Sequence, residues 1–264
     1  MRHAVIDGLG VHYTDAGPQD GPALVFANSL GTDLRLWDAV LPLLPTGLRL
    51  VRYDKRGHGL TQTTPGPYAI DRLADDAAGL IRQLGLRDVI FVGLSIGGLI
   101  ALALAARHGD LLRGLVISNS AARIGTPQLW DDRMAAIRDG GIEAISAPTM
   151  ERWFSPGFRA SGQAAPWQRM LERQPVEGYL GCCAAIAGAD LRAEAAGLTL
   201  PVQMIAGSMD GSTPPDLVGE TARLIPGARM DVIEGVGHLP CVEAPQRFAD
   251  LLMRFMTEVD HVRG

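Results

Sequence analysis

The sequence has little of three features that mark particular protein classes. It contains three cysteines in 264 residues, and an odd number with Cys182 and Cys183 adjacent is typical of reduced thiols rather than of a disulfide framework. It contains one lysine, Lys55, and its formal net charge is −5, so we expect no nucleic-acid partner. It lacks both the apolar run of a membrane span, roughly 18 residues or more, and a signal peptide. We therefore expect a cytoplasmic protein with no membrane partner.

Short apolar runs and amphipathic helical patterns alternate along most of the chain. The segments predicted to be strands lie at residues 4–7, 11–15, 23–27, 48–53, 88–93, 114–118, 200–206 and 228–233. Helical periodicity lies at about 33–44, 70–84, 96–107 and 245–259. This alternation predicts an α/β fold with about eight strands, in which helices cover a mostly parallel sheet and the first two strands form an antiparallel hairpin at its edge.

The pattern changes between residues 121 and 197. Strand-like runs disappear there, and five prolines interrupt a series of helical stretches. We interpret residues 121–197 as a helical cap that is inserted into an α/β core formed by residues 1–120 and 198–264.

A serine flanked by glycines follows the predicted strand 88–93. The sequence there is Gly93-Leu94-Ser95-Ile96-Gly97, which matches the G-x-S-x-G nucleophile elbow, a sharp turn that raises the serine hydroxyl above the sheet. A dinucleotide fingerprint needs glycine where Ser95 stands, and a phosphate loop needs a lysine beside the serine, whereas Lys55 is elsewhere. We therefore predict that Ser95 is a catalytic nucleophile.

A nucleophilic serine needs a base and an acid, which are expected after later strands of the sheet. His238 follows the last predicted strand, and the loops at the carboxyl ends of parallel strands meet at one edge. Asp210 follows strand 200–206 and stands between Ser95 and His238 in the chain, as this fold requires. Two other candidates for the acid are less suitable. Asn119 has no negative charge to stabilise an imidazolium, and Asp216 is expected to cap or begin a helix. The predicted triad is Ser95, Asp210 and His238.

Two backbone N–H groups are expected to bind the oxyanion that forms when the serine attacks a carbonyl. The residue after the nucleophile, Ile96, supplies one of them. The other comes from the turn after strand 23–27, where we choose Leu30 and Ser29 remains the alternative.

With these motifs in place, the chain resembles the α/β-hydrolase superfamily over nearly its whole length. More narrowly, it resembles the 3-oxoadipate enol-lactonases of bacterial aromatic degradation. The segments that carry the resemblance are Asn28-Ser29-Leu30-Gly31-Thr32-Asp33 with Trp37, Asp54-Lys55-Arg56-Gly57-His58-Gly59, the serine turn with Gly98, Asn119-Ser120-Ala121-Ala122-Arg123-Ile124-Gly125-Thr126 with Trp130, and Glu151-Arg152-Trp153-Phe154.

The resemblance implies hydrolysis of a cyclic enol ester that bears an acetate carboxylate. The sequence contains no metal-ligand cluster and no cofactor-binding loop, so we expect neither a metal nor a cofactor. Arg152 in the cap would then bind that carboxylate, with Arg133 as the rival cation, and Trp153 would cover the lactone ring. Acylation of Ser95 and direct attack by a water that His238 activates are both open. The alternative functions are those of a general carboxylesterase, a perhydrolase, a C–C hydrolase and a ligand receptor of the same fold. The sequence specifies no oligomeric state.

Overall fold

The computed structural model describes residues 1–261 and contains one sheet of eight strands flanked by helices. The strands are β1 Arg2–Ile6, β2 Leu9–Ala16, β3 Ala23–Ala27, β4 Arg49–Tyr53, β5 Val89–Leu94, β6 Leu112–Ser118, β7 Val202–Gly207 and β8 Arg229–Ile233. Their order across the sheet is β1-β2-β4-β3-β5-β6-β7-β8. The pairs β1–β2 and β2–β4 are antiparallel and all other pairs are parallel, which confirms the predicted sheet and its edge hairpin.

The central strands of the sheet are buried along their whole length. Every residue of β3, β5 and β7 is buried, whereas in β8, at one edge, only Ile233 is buried. Continuous apolar runs rather than alternating ones are therefore the sequence pattern of the central strands, because both of their faces are covered.

Eleven α-helices accompany the strands within residues 1–261. They are α1 Ile70–Gln83, α2 Ile96–His108, α3 Pro127–Gly140, α4 Glu143–Trp153, α5 Pro156–Ala160, α6 Ala165–Glu172, α7 Val176–Ala187, α8 Arg192–Ala196, α9 Pro215–Leu224, α10 Pro240–Glu243 and α11 Pro245–Glu258. Six of them, α3 to α8, lie between β6 and β7 in the chain. None of these helices is both long and apolar enough to cross a membrane.

The prediction of one helix at residues 33–44 is wrong. The structure has two short 3-10 helices there, Leu34–Trp37 and Leu41–Leu43. Pro42 has no N–H group to continue a helix beyond Trp37, and its ring excludes the preceding turn. The apolar spacing that predicted a helix instead buries Leu34 and Trp37 against the core.

The parallel part of the sheet places several loops at one edge. Strands β3, β5, β6, β7 and β8 are consecutive neighbours with the same direction, so their carboxyl ends lie side by side. The segments that follow them begin with residues 28, 95, 119, 208 and 234, and they carry all of the predicted catalytic residues.

Candidate active site

Ser95 lies in a strained turn between β5 and α2. Its backbone has φ 59° and ψ −118°, a conformation that residues with a side chain rarely adopt. The turn requires glycine on either side, because a Cβ on Gly93 would lie 2.1 Å from the carbonyl oxygen of Gly97, and one on Gly97 would lie 2.3 Å from that of Ala27. Ser95 N donates a hydrogen bond to the carbonyl oxygen of Ser118 at 3.0 Å, which ties the turn to β6.

His238 and Asp210 form a buried pair beside this turn. His238 Nδ1 lies 2.8 Å from Asp210 Oδ2, and the two side chains are 2% and 0% exposed. A proton held on Nδ1 by the carboxylate leaves Nε2 as the basic nitrogen. His238 and Ser95 line one cavity, although in the described chain the Ser95 hydroxyl and the imidazole form no hydrogen bond. Such bonds commonly tighten only when substrate is bound.

The Asp210 carboxylate is saturated with hydrogen bonds. Its Oδ1 accepts from the backbone N–H groups of Ser212 at 2.7 Å and Thr213 at 3.1 Å, and its Oδ2 accepts from Thr213 Oγ1 at 2.7 Å and Asn119 Nδ2 at 2.8 Å. Burial alone would raise the pKa of Asp210, but the charge of His238 and these hydrogen bonds lower it to about 2. Asp210 is therefore ionised at neutral pH and fixed in position.

The turn after β3 presents the first of the predicted oxyanion donors. Leu30 lines the cavity, and Ile96 is the first residue of α2, directly after Ser95. Within residues 1–261, neither the backbone N–H of Leu30 nor that of Ile96 donates a hydrogen bond. Both are therefore available to an anion, while Ser29, the alternative to Leu30, lines the same cavity.

A second turn, residues 54–59, holds the turn after β3 in place. Lys55 Nζ donates to the carbonyl oxygen of Ser29 at 2.6 Å, and Gly31 N donates to His58 Nε2 at 3.0 Å. Burial and the charge of Lys55 lower the pKa of His58 well below its usual value, so the imidazole is neutral and Nε2 can accept this bond. Sequence reasoning gave neither His58 nor Lys55 a part in the site.

The cavity that Ser95 and His238 line has a volume of about 330 Å³. All three predicted substrate-binding residues, Arg133, Arg152 and Trp153, also line it. Trp153 is buried, at 4% exposure. The structure thus brings the predicted nucleophile, base and substrate-binding side chains to one cavity, and Asp210 binds His238.

Arg133 from α3 and Arg152 from α4 meet at Thr149. Arg152 Nη2 donates to Thr149 Oγ1 at 3.2 Å, and Arg133 Nη2 donates to the same oxygen at 3.0 Å. Arg133 also donates to the hydroxyl of Tyr179 through Nη2 at 2.6 Å and Nε at 3.2 Å. Sequence reasoning missed Thr149 and Tyr179. The position of Thr149, three residues before Arg152 and thus on the same helix face, was the available signal.

Neither of these two guanidinium groups is in direct contact with a carboxylate among the described residues. Of the ion pairs formed within residues 1–261, none includes Arg133 or Arg152. Burial and the charge of Arg133 lower the pKa of Arg152, but a guanidinium stays protonated at any physiological pH. Two partly buried cations without a counterion make this wall of the cavity electrostatically complementary to an anion.

The end of α4 is fastened directly to the loops that carry the acid and the base. The carbonyl oxygen of Trp153 accepts a hydrogen bond from His238 N at 2.7 Å, and that of Arg152 accepts one from Gly211 N at 3.1 Å. Glu243 adds a side-chain link, because Oε1 accepts from Gly237 N at 2.7 Å and Oε2 accepts from Ser155 Oγ at 2.5 Å. These bonds fix the position of Arg152 relative to His238, and both residues line the cavity.

Comparison with known proteins agrees with this architecture. Residues 24–251 match the alpha/beta hydrolase family, and the chain belongs to that family. It is thus a hydrolase, and both the predicted family and the predicted fold are confirmed.

Among its relatives are proteins named for one reaction. The chain is 34% identical to 3-oxoadipate enol-lactonase 2 of Acinetobacter baylyi over 91% of its own length and 90% of that protein. It is 36% identical to the enol-lactonase from Burkholderia xenovorans LB400, with a TM-score of 0.93 over 97% of this chain and 100% of that one. A thermophilic esterase from Thermogutta terrifontis, in a malate-bound structure, is 27% identical with a TM-score of 0.92 over 99% and 100% of the two chains.

Proposed function

We propose that the protein hydrolyses 3-oxoadipate enol-lactone to 3-oxoadipate, a step in the bacterial degradation of protocatechuate and catechol, in the cytoplasm. The relatives named enol-lactonases support the reaction. The observation that carries the proposal is the pair of arginines without a counterion in the cavity beside Ser95 and His238. A neutral ester gives no reason for two cations there, whereas the lactone carries a carboxylate.

Arg152 is the main ligand of that carboxylate in our proposal. Arg133 already uses Nε and Nη2 to bind Tyr179 and Thr149, whereas Arg152 uses only Nη2. Nε and Nη1 of Arg152 are therefore free to bind a carboxylate, and Arg133 adds its charge at longer range. Trp153 covers the lactone ring.

The residues follow the chemistry of a serine hydrolase. His238 takes the proton of the Ser95 hydroxyl as its oxygen attacks the lactone carbonyl carbon, and Asp210 stabilises the imidazolium. The N–H groups of Leu30 and Ile96 bind the oxyanion. When the intermediate collapses, the ring C–O bond breaks and the enolate oxygen receives the proton from His238. The released enol then tautomerises to the ketone.

Water completes the reaction. His238 takes a proton from the water as it attacks the acyl carbon, and Ser95 leaves with a proton from the imidazolium. Direct attack on the lactone by such a water gives the same product without an acyl-enzyme. Rapid quenching followed by intact-protein mass spectrometry distinguishes the two routes, because only the first adds the mass of the substrate to Ser95.

We also propose that residues 121–197 form a cap on a core of residues 1–120 and 198–264. The position of α3 to α8 between β6 and β7 supports this division, as does the origin of Arg133, Arg152 and Trp153 in α3 and α4. The core would then supply the catalytic groups and the cap would select the substrate.

The second candidate is a carboxylesterase that acts on simple neutral esters, which the related Thermogutta esterase favours. Side-by-side measurement of kcat/KM for 3-oxoadipate enol-lactone and phenyl acetate decides between them. We expect the lactone to be preferred by at least about a hundredfold, since binding of its carboxylate contributes about 1.5–3 kcal/mol in addition to the fit of the ring. A preference for phenyl acetate would overturn the lactonase proposal and leave the esterase.

A further inference from the structure

The only lysine of the sequence lies directly behind one of the predicted oxyanion donors. Lys55 is 2% exposed, and its Nζ lies 2.6 Å from the carbonyl oxygen of Ser29 and 3.5 Å from that of Thr32. That first carbonyl belongs to the peptide group that joins Ser29 to Leu30. Because this peptide group is planar and trans, the N–H of Leu30, the proposed oxyanion donor, points away from Lys55. Lys55 forms no ion pair within residues 1–261.

We propose that Lys55 is an electrostatic positioning residue for the oxyanion site, which acts through the peptide group between Ser29 and Leu30. An ammonium bound to the carbonyl oxygen orients this peptide group and polarises it, so that its N–H becomes a stronger donor. The full positive charge behind the peptide also stabilises a negative charge in front of it, because Lys55, Ser29 and Leu30 are all buried and the charges are weakly screened.

Bracing of the turn alone does not require a charge. Thr32 Oγ1 already donates to the carbonyl oxygen of Ser29 at 2.9 Å, and Thr32 N donates to it at 3.3 Å. Burying an ammonium without a counterion is costly, and a neutral or apolar side chain of similar size would avoid that cost. A buried cation at this position is therefore better explained by the charge that develops at the oxyanion than by structure.

The surroundings of Lys55 make its charge sensitive to pH. Burial lowers the pKa of Lys55 to about 8, against the opposing influence of Cys182 in α7 and of Asp54 and Asp33. The nearby imidazole of His58 is neutral and adds no charge. Lys55 is thus protonated below about pH 8 and loses its charge above it. Because coupling between sites is reciprocal, an anion at the oxyanion position must raise the pKa of Lys55 if Lys55 stabilises that anion.

A single lysine allows this coupling to be measured directly. Protein labelled with ¹⁵N-lysine gives one side-chain Nζ signal, whose pH titration reports Lys55 in the whole chain. An uncharged arylboronic acid mimics the tetrahedral intermediate: the Ser95 oxygen bonds to boron, the hydroxyl proton passes to His238, and the boron becomes anionic. We expect the adduct to raise the pKa of Lys55 by about one unit or more, and the same compound to have no effect in Ser95→Ala.

The outcomes separate this inference from the proposed function on which it rests. An adduct at Ser95, detected by ¹¹B NMR, together with an unchanged Lys55 titration would overturn the role of Lys55 and leave the nucleophile in place. Absence of any adduct at Ser95 would overturn the assignment of Ser95 as nucleophile, on which the inference rests, and would leave hydrolysis of the lactone by direct attack of water. Neither result depends on which lactone or ester is the natural substrate.

Matched variants test the same inference by kinetics. Lys55→Met removes the charge, whereas Thr32→Val removes a neutral hydrogen bond to the same carbonyl oxygen. We expect Lys55→Met to lower kcat by at least about tenfold with little change in KM, and Thr32→Val to cause a smaller loss of about threefold. In addition, Lys55→Arg should retain activity at about pH 9, where the wild type declines. Equal losses in Lys55→Met and Thr32→Val would show that both side chains only brace the turn.

Discussion

Replacing Arg152 by methionine removes one of the two cations from the cavity while keeping most of the side-chain volume. The guanidinium is half-buried, it binds only Thr149 through Nη2, and it has no carboxylate partner among the described residues. The wild-type arginine is thus held by few contacts that the variant would break. We expect the variant to fold normally and to lose affinity for a negatively charged substrate.

The size of this loss follows from the donors that Arg152 has free. A hydrogen bond between charged partners contributes about 1.5–3 kcal/mol, which corresponds to about ten- to one-hundredfold in kcat/KM. Arg133 remains beside the site and limits the loss to that range. Because the carboxylate is bound equally in the ground state and in the transition state, the loss should be found in KM, with kcat nearly unchanged.

The assay compares 3-oxoadipate enol-lactone with phenyl acetate for each variant. Phenyl acetate has no carboxylate, so its kcat/KM should change by less than about threefold in Arg152→Met. Arg138→Met is the matched control: this arginine is exposed on α3, outside the lining of the cavity, and its removal changes net charge by the same amount. Equal effects of Arg152→Met on both substrates, or equal effects of the two variants on the lactone, would refute the assignment of Arg152.

Three further predictions concern the catalytic loops. Asn119→Leu removes the donor at 2.8 Å from Asp210 and should lower kcat by about tenfold with KM unchanged; an unchanged kcat would show that Thr213 and the backbone suffice. The pKa of Asp210 is lowered from 3.8 to about 2, so its ionised form adds about 2 kcal/mol to stability above pH 4, and this is lost as pH falls towards 2. The free energies of unfolding of wild type and Asp210→Asn, measured in urea across this pH range, should therefore converge at low pH. A constant difference between the two would contradict the ionic contribution of Asp210. Gly97→Ala places a Cβ 2.3 Å from the carbonyl oxygen of Ala27 and should lower the free energy of unfolding by at least about 1–3 kcal/mol; a stability equal to wild type would show that the turn adapts.

The elements that the sequence predicted well are those that local pattern determines. Residues 89–94 carry no polar side chain because β5 is covered on both faces, and the glycines around Ser95 are required by backbone contacts within the turn itself. Both signals are visible in a few consecutive residues. The 3-10 helices at Leu34–Trp37 and Leu41–Leu43 were missed because apolar spacing outweighed Pro42 in the interpretation.

Other features depend on contacts between distant parts of the chain. Asn119 was rejected as the acid for lack of charge, and only the pairing of β6 with β7 shows that it donates to Asp210. The sequence left Arg133 as a rival to Arg152, since only the fold shows that the hydroxyl of Tyr179, in α7, accepts hydrogen bonds from Arg133. Similarly, nothing near Lys55 in the sequence indicates that its ammonium binds the carbonyl oxygen of Ser29.

The central claim is that Ser95 is the nucleophile of an enol-lactone hydrolase. The most direct test is the steady-state turnover of 3-oxoadipate enol-lactone by wild type and by Ser95→Ala, after both are shown to unfold at the same urea concentration. We predict that the wild type turns over the lactone and that Ser95→Ala lowers kcat/KM by several orders of magnitude, on the order of 10⁴ or more. Near wild-type turnover by Ser95→Ala would contradict the nucleophile assignment and favour direct attack by water.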